Sequence, residues 1–287
     1  MIDRAQILKA AASLGGLGSG PNDTPRILAA LCNPQVQARE VAGLLGREPA
    51  LYAKVLRVAN SPYYGQARSI STLERAVVVL GLDAVRGIAA AACLDRTAAR
   101  HSRTTLIDID AVIKHSLATA AAAESLARLR HPALAAQAFI AGLLHNLGIV
   151  VQMSLDSAGM KSMIALRQAA DERDMRTLEC EQTTVGHETC ISVIFEAWNL
   201  PEALIAAVHD HHDPAAASPV HGDLTACINL GATLGLASGH TFSLEPAPIP
   251  RNAFAMSCLG VAPPQLDEIE RELPRRVEEL KKALFDG

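Results

Sequence analysis

Glu48-Pro49-Ala-Leu-Tyr-Ala-Lys-Val-Leu-Arg-Val-Ala-Asn60-Ser61-Pro62-Tyr63-Tyr64-Gly65 reads as a helix followed by its own stop signal. Pro49 suits the first helical turn, where a missing N–H costs no internal hydrogen bond. Leu51, Val55 and Val58 recur at i, i+4 and i+7, which puts them on one apolar face. Asn60-Ser61-Pro62 then ends the run. The same pattern continues on both sides. Asn33-Pro34 looks like an N-cap with proline at the next position and predicts a helix to about Leu45. Ser71-x-x-Glu74 has the form of a capping box, with Leu73, Ala76, Val77 and Leu80 behind it on one face. Gly81 separates this from a helix predicted over about Asp83 to Cys93, and the polar stretch from Asp95 to Thr105 is the best lobe boundary.

Longer helices are predicted over 108–130, 132–145, 157–172, 186–198 and 201–212, with Ile191, Ile194, Phe195 and Trp198 forming a buried stripe. Residues 214–221 and 246–250 read as loops, and 265–285 as a charged helix with a solvated amphipathic face. Aromatics are 3% of the chain, alanine is abundant and β-branched alternation is almost absent, so the fold class is all-α. With 287 residues, 49% of them hydrophobic, there is enough apolar surface for one large core or two smaller ones. The expected organisation is two-lobed: a flexible leader at 1–20 containing Gly15, Gly16, Gly18 and Gly20, an N-terminal lobe at 21–105, a second lobe at 106–240, and a loop with the final helix at 241–287.

A net charge of −4 and a pI near 6.2 leave no electrostatic footprint for nucleic acid or an acidic membrane surface. No uninterrupted apolar run approaches the ~20 residues of a bilayer span. Asp3, Arg4 and Lys9 interrupt any secretory h-region. The six cysteines form no C-x-x-C pair, which predicts free, mostly buried thiols in a reducing cytoplasm. Cys190 lies three residues from His187, but the adjoining apolar stripe makes it a core-border residue rather than a nucleophile.

Several separated motifs occur in a fixed order. They are the opening stretch, Ile70-Ser71-Thr72-Leu73-Glu74-Arg75-Ala76, Leu80-Gly81-Leu82, Lys114-His115-Ser116, Gly142-Leu143-Leu144-His145-Asn146-Leu147-Gly148 and Trp198-Asn199-Leu200-Pro201. Together they resemble the HDOD domain signature over roughly 20–215, and more loosely to about 240. That resemblance implies an all-helical bacterial signalling or regulatory module related to the HD metal-dependent phosphohydrolases.

In those hydrolases, histidines and carboxylates hold one or two metals that polarise a phosphate and lower the pKa of a bound water. The resemblance extends to the HD-GYP phosphodiesterases, whose ligand order is His, His-Asp, His, His-His, Asp. Here His115, His145-Asn146, His187, His211-His212 and Asn229 match that order, at intervals of 30, 42, 24 and 17 residues. Every histidine has a counterpart, and both acids are amides. The Gly-Tyr-Pro motif is replaced by Asp213-Pro214-Ala215 after His212. An aspartate brings charge and two oxygens, whereas an asparagine brings one neutral carbonyl. Two dications among neutral ligands would be buried without counter-charge, at several kcal/mol per ion. One transition-metal ion (Zn, Fe, Ni, Cu or Mn) on three or four imidazoles stays compatible with the residues, and no cofactor is required. Asp210, Asp213 and Asp223 are the nearest acids in sequence that could compensate charge.

Each feature also has a plainer reading. A histidine on an apolar helix is often a hydrogen-bonded core residue. His209, His211 and His212 suit a helix C-terminus through the helix dipole. The Asn60–Gly65 run is explained by turn chemistry, with Tyr63 and Tyr64 as the alternative partner surface. The expected function is a stand-alone HDOD regulatory protein that binds protein partners. Two rivals stand beside it: a residual mononuclear phosphohydrolase or cyclic-dinucleotide phosphodiesterase, and a non-hydrolysing sensor of a nucleotide second messenger.

Overall fold

The computed structural model describes residues 2–13, 24–33, 36–61, 70–101, 107–169 and 173–285. In order they form α1 (Arg4–Ser13), α2 (Thr24–Leu31), α3 (Ala38–Leu45), α4 (Pro49–Ala59), α5 (Leu73–His101), α6 (Ile109–Arg130), a 3₁₀ turn (Pro132–Leu134), α7 (Ala135–Leu144), α8 (Leu147–Leu155), α9 (Ser157–Gln168), α10 (Met175–Gln182), α11 (His187–Ala197), α12 (Glu202–His209), α13 (Gly222–Ala237), α14 (Ala253–Leu259) and α15 (Pro263–Leu284). Among the described residues there is no strand, only one antiparallel bridge between Phe242 and Glu245. The all-α reading holds.

Helix α6 is the axis on which the site is built. Its buried Ala118, Ala120, Ala121, Ala122 and Ala123 leave a smooth surface on which α7 and α13 lie close. A Cβ added at Gly142 of α7 would stand 2.8 Å from Ala120 Cα, and one at Gly231 of α13 would stand 2.8 Å from Thr119 O. The alanine excess therefore lets three backbones approach one another. Helices α2, α3 and α4 gather instead around α5. In α5 the helical path breaks at Gly81, whose φ of 78° belongs to the left-handed region that glycine enters without a Cβ penalty.

Helix α15 was expected to show a solvated face, but it is also a cover. Leu266, Ile269, Leu273, Val277, Leu280 and Leu284 are buried against its neighbours, which include α6 and α13. Arg276 donates to Ala121 O at 3.1 Å and Ser125 Oγ at 2.6 Å, and pairs with Glu124. The segment expected to be a flexible leader contains α1, whose buried Ile7 packs into the core while the helix lies on α8 and α11. Its four glycines lie outside the described residues.

Several local expectations change. Helix α3 begins at Ala38 rather than after Asn33, with Gln37 preceding it, and Pro34 is outside the described residues. The cap of α5 is Thr72, whose hydroxyl accepts from Arg75 N at 3.3 Å, so the Ser71–Glu74 box does not form. Helix α5 continues to His101 through most of the polar stretch taken as a lobe boundary. Helix α12 ends at His209 rather than at His212. Helices α2, α8, α10, α13 and α14 were not anticipated. Asn60 does end α4, and its side chain also holds Ile70 from both sides: Nδ2 donates to Ile70 O at 2.8 Å and Oδ1 accepts from Ile70 N at 2.7 Å. Tyr63 and Tyr64 lie outside the described residues.

Two segments, Leu73–Asp95 and Pro132–Leu155, reach the length and mean apolarity of a bilayer span, contrary to the reading from uninterrupted runs. Within the fold, 56% and 83% of their most apolar stretches are buried, and the second is two helices broken at His145-Asn146.

A candidate histidine centre beside an arginine-lined cleft

Four separate pieces of chain deliver the histidines, and a fifth delivers Asn229. His115 stands in the middle of α6, and His145 and Asn146 occupy the break between α7 and α8. His187 is the first residue of α11. His211 and His212 lie in the turn after α12, and Asn229 lies on α13. Because α12 stops early, the adjacent His211 and His212 leave the helix together. Gly148 brings α8 against the start of α11: a Cβ there would sit 2.0 Å from His187 O. Successive ring centroids from His115 to His145 to His211 to His212 are 5.5, 5.1 and 4.1 Å apart, and His187 lies 5.3 Å from His211 and 5.1 Å from His212. The five matched histidines thus meet in one place.

The rings are held in a defined orientation. His115 Nδ1 lies 3.0 Å from His240 O, His145 Nδ1 2.7 Å from Gly142 O, and His211 Nδ1 2.8 Å from Val208 O. A carbonyl can only accept, so each Nδ1 carries its hydrogen and each Nε2 keeps the lone pair. Burial keeps these rings neutral, pushing His115 down to about 4 and His211 down to about 3. His145 and His212 also fall well below the ordinary value, through burial and then the neighbouring histidines.

His187 differs. Burial acts to lower its pKa, but the charge and hydrogen bonds of Glu179, with Glu188 and Glu245 behind, raise it to about 9. Glu179 is buried on α10, with its oxygens 2.9 and 3.0 Å from His187 Nδ1, and it also accepts from His187 N at 2.8 Å. Gln152 of α8 donates to Glu179 at 2.7 Å and to Val185 O at 2.6 Å. The far nitrogen of His187, Nε2, is 3.2 Å from His212 Nε2.

Sequence reasoning missed these glutamates. The available signal was that Glu179 follows Met175 by four residues, which puts an acid on the buried side of a short helix. Of the aspartates considered instead, Asp210 and Asp223 are engaged by other histidines, and Asp213 stands near Arg176. Asp210 bonds exposed His209 at 2.7 Å, Asp223 lies 3.0 Å from His131, and Asp213 lies 4.0 Å from Arg176. Counter-charge is therefore present, though it comes from outside the matched motif. Cys190 is fully buried and its thiol is pushed up to about 12 by burial, so it stays protonated. All six cysteines are free, and four of them are buried.

Both amides are buried: Asn229 touches the centre through His211, and Asn146 directly follows His145 in the chain. Asn229 Nδ2 donates to His211 O at 2.9 Å, while its Oδ1 is buried without a hydrogen-bond partner. Asn146 Nδ2 is likewise buried and unpartnered. The donor set suits one metal ion. Ligand atoms of His187, His211 and His212 all lie within 4.8 Å of one another. The Nε2–Nε2 separation of 3.2 Å is near the ~3.3 Å edge of a tetrahedron with metal–nitrogen bonds of about 2.0–2.1 Å. A carboxylate on the far nitrogen of a ligand histidine is the usual second-layer support.

A cleft of about 780 Å³ opens beside the centre. Arg167, Arg173, Arg176, His212, Asn229 and Glu245 contribute to its lining, and the Pro246–Pro250 segment forms an apolar wall.

An HDOD domain family model matches residues 17–214. A protein of Treponema pallidum (strain Nichols) is 29% identical over 196 residues, covering 67% of this chain and 37% of its own length. Among solved structures, an HDOD domain protein from Geobacter sulfurreducens superposes with a TM-score of 0.78 at 20% identity, over 98% of both chains. A Marinobacter aquaeolei VT8 protein named for a role in signal transduction gives a TM-score of 0.78 at 23% identity, over 98% of this chain and 64% of its own. The chain thus spans 37% of the Treponema relative and 64% of the Marinobacter one.

Proposed function

This chain belongs to the HDOD family, and on that premise we propose that it is a signalling module whose histidine centre binds without two-metal hydrolysis. The observation that carries this reading is the pair of amides at the two matched acid positions, Asn146 and Asn229, each with one orphaned buried atom. A bridging carboxylate would bring negative charge and two acceptor oxygens, whereas each amide brings one neutral oxygen and an N–H₂ group that repels a cation. Glu179 does not replace them, because its oxygens are engaged by His187 Nδ1 and N and by Gln152.

The donor set fits a single transition-metal ion on His187, His211 and His212. When bound, such an ion supplies Lewis acidity and a link between α11 and the turn after α12. Glu179 orients His187, Val208 O orients His211, and Gly142 O orients His145. Output passes to protein partners, for which Tyr63 and Tyr64 are the proposed contact residues.

Elemental analysis of tag-free protein prepared without chelator tests the centre. We expect no more than about one equivalent of metal and no phosphodiester turnover when Mn or Fe is added. Two equivalents, with turnover lost in His145→Ala, would sink the proposal in favour of a hydrolase. Restoring both acids, Asn146→Asp with Asn229→Asp, is expected to add a second equivalent of metal.

A further inference from the structure

We propose that the cleft beside the histidine centre is a preformed site for a 5′-mononucleotide, with the phosphate on the arginines and the nucleoside running inward to Asn229. This deepens the binding reading above and rests on it only in that the ligand leaves intact. Three guanidinium groups, of Arg167, Arg173 and Arg176, line one cavity. Acids accompany them: Asp174 caps α10 through Thr177, and Glu181 pairs with Arg173 at 2.5 Å. Glu188 and Asp213 stand near Arg176, and Glu245, whose carboxyl pKa burial pushes up to about 7, lines the same cavity. Arg167 is fixed in place, donating to Leu244 O at 2.7 Å and Arg173 O at 2.5 Å. Arg176 has its ion pairs at 3.7 and 4.0 Å, longer than hydrogen bonds, and its side chain is 51% exposed. A planar guanidinium so placed matches phosphate oxygens in pairs.

Asn229 asks for a different group. Asn229 lines the cavity at 8% exposure, and its Oδ1 has no partner. An orphaned acceptor in such a place calls for a ligand hydroxyl or N–H. In the same lining, Met175 and the Pro246–Pro250 wall offer an apolar face suited to a base. The volume, about 780 Å³, falls within the range of small-ligand sites. Simple anions satisfy only the arginines, and neutral nucleosides only Asn229 and the apolar wall.

Calorimetric titration of the full chain with 5′-AMP, 5′-GMP, adenosine, guanosine and inorganic phosphate tests this. We expect one saturable site for at least one nucleotide. The matching nucleoside and inorganic phosphate should each bind at least about tenfold more weakly. Arg176→Glu, a change at an exposed position, should weaken the nucleotide at least about tenfold with the circular dichroism unchanged. Asn229→Ser, which shortens the inner acceptor, should weaken nucleotide more than phosphate. No saturable nucleotide binding, equal binding of phosphate alone, or indifference to Arg176→Glu would each overturn the proposal. Chromatography of the recovered nucleotide separates the two readings. Cleaved nucleotide removes the binding-only function and leaves the cleft assignment standing, whereas absent binding removes the cleft and leaves the function untouched.

Discussion

Two opposing effects meet at His187. Burial disfavours the imidazolium and the Glu179 carboxylate favours it, and the carboxylate wins by enough to raise the pKa to about 9. Glu179→Gln keeps the size of the side chain and removes the charge, so burial should then prevail. NMR titration is expected to find His187 below its ordinary 6.5 in that variant. Gly148 is the second decisive residue. Gly148→Ala forces a carbon against His187 O and should cost about 1–3 kcal/mol or more, read as a shift in the denaturant midpoint. His115 and His145-Asn146 were legible in the sequence because they sit in ordered motifs, whereas His187, His211, His212 and Asn229 could be picked out only by the ligand order that the resemblance supplied. Glu179 and Gln152 were not, since each lies in a helix with no motif and acts on His187 only after α8, α10 and α11 have packed.

Among the helices, legibility followed how one-sided the burial is. Helix α15 shows its stripe openly, because Leu266, Ile269, Leu273 and Val277 alternate with charged residues that face water. Helices α8 and α13 are enclosed on nearly every side, so their sequences are apolar all round and carry no period to read. Helix α10 has eight residues and few apolar ones, which left it indistinct from loop. The predicted end of α12 failed for a related reason: His209 to His212 read equally well as a polar helix end and as a turn. At this scale the tie between α15 and α6 can be tested. Arg276→Met keeps the aliphatic bulk and removes the bonds to Glu124, Ser125 and Ala121 O. It is expected to lower stability by about 1–2 kcal/mol, given the partial exposure of the pair.

For the whole molecule, five clustered histidines set the response to acid. His115, His145, His211 and His212 have lowered pKa values in the fold. The unfolded chain therefore binds more protons than the native one as pH falls below 6.5, and stability drops toward pH 4. Each fully buried ring contributes a slope of up to about 1.4 kcal/mol per pH unit in that window. His187 runs the other way. Its raised pKa adds stability that is complete below 6.5 and lost as pH rises through about 9. Denaturant midpoints measured from pH 4 to 9 are expected to peak near neutrality. Replacing His115 with Gln should flatten the acid limb. The all-helical class was legible at this scale from composition, while the partners of the outlying helices were not. Which helix lies on which is decided by contacts between residues far apart in the chain.

Helix α1 gives that last point a time dimension. Its Arg4 pairs with Glu196 across 192 residues, and the helix rests on α8 and α11. At ribosomal speeds of about 5–20 residues per second, the ~190 residues between them take roughly 10–40 s to make. Throughout that interval Ile7, which is 2% exposed in the fold, has no α8 or α11 surface to cover it until those helices emerge. The nascent chain thus carries Ile7 unsheltered through the synthesis of most of the fold, and docking of α1 is expected among the last steps of folding.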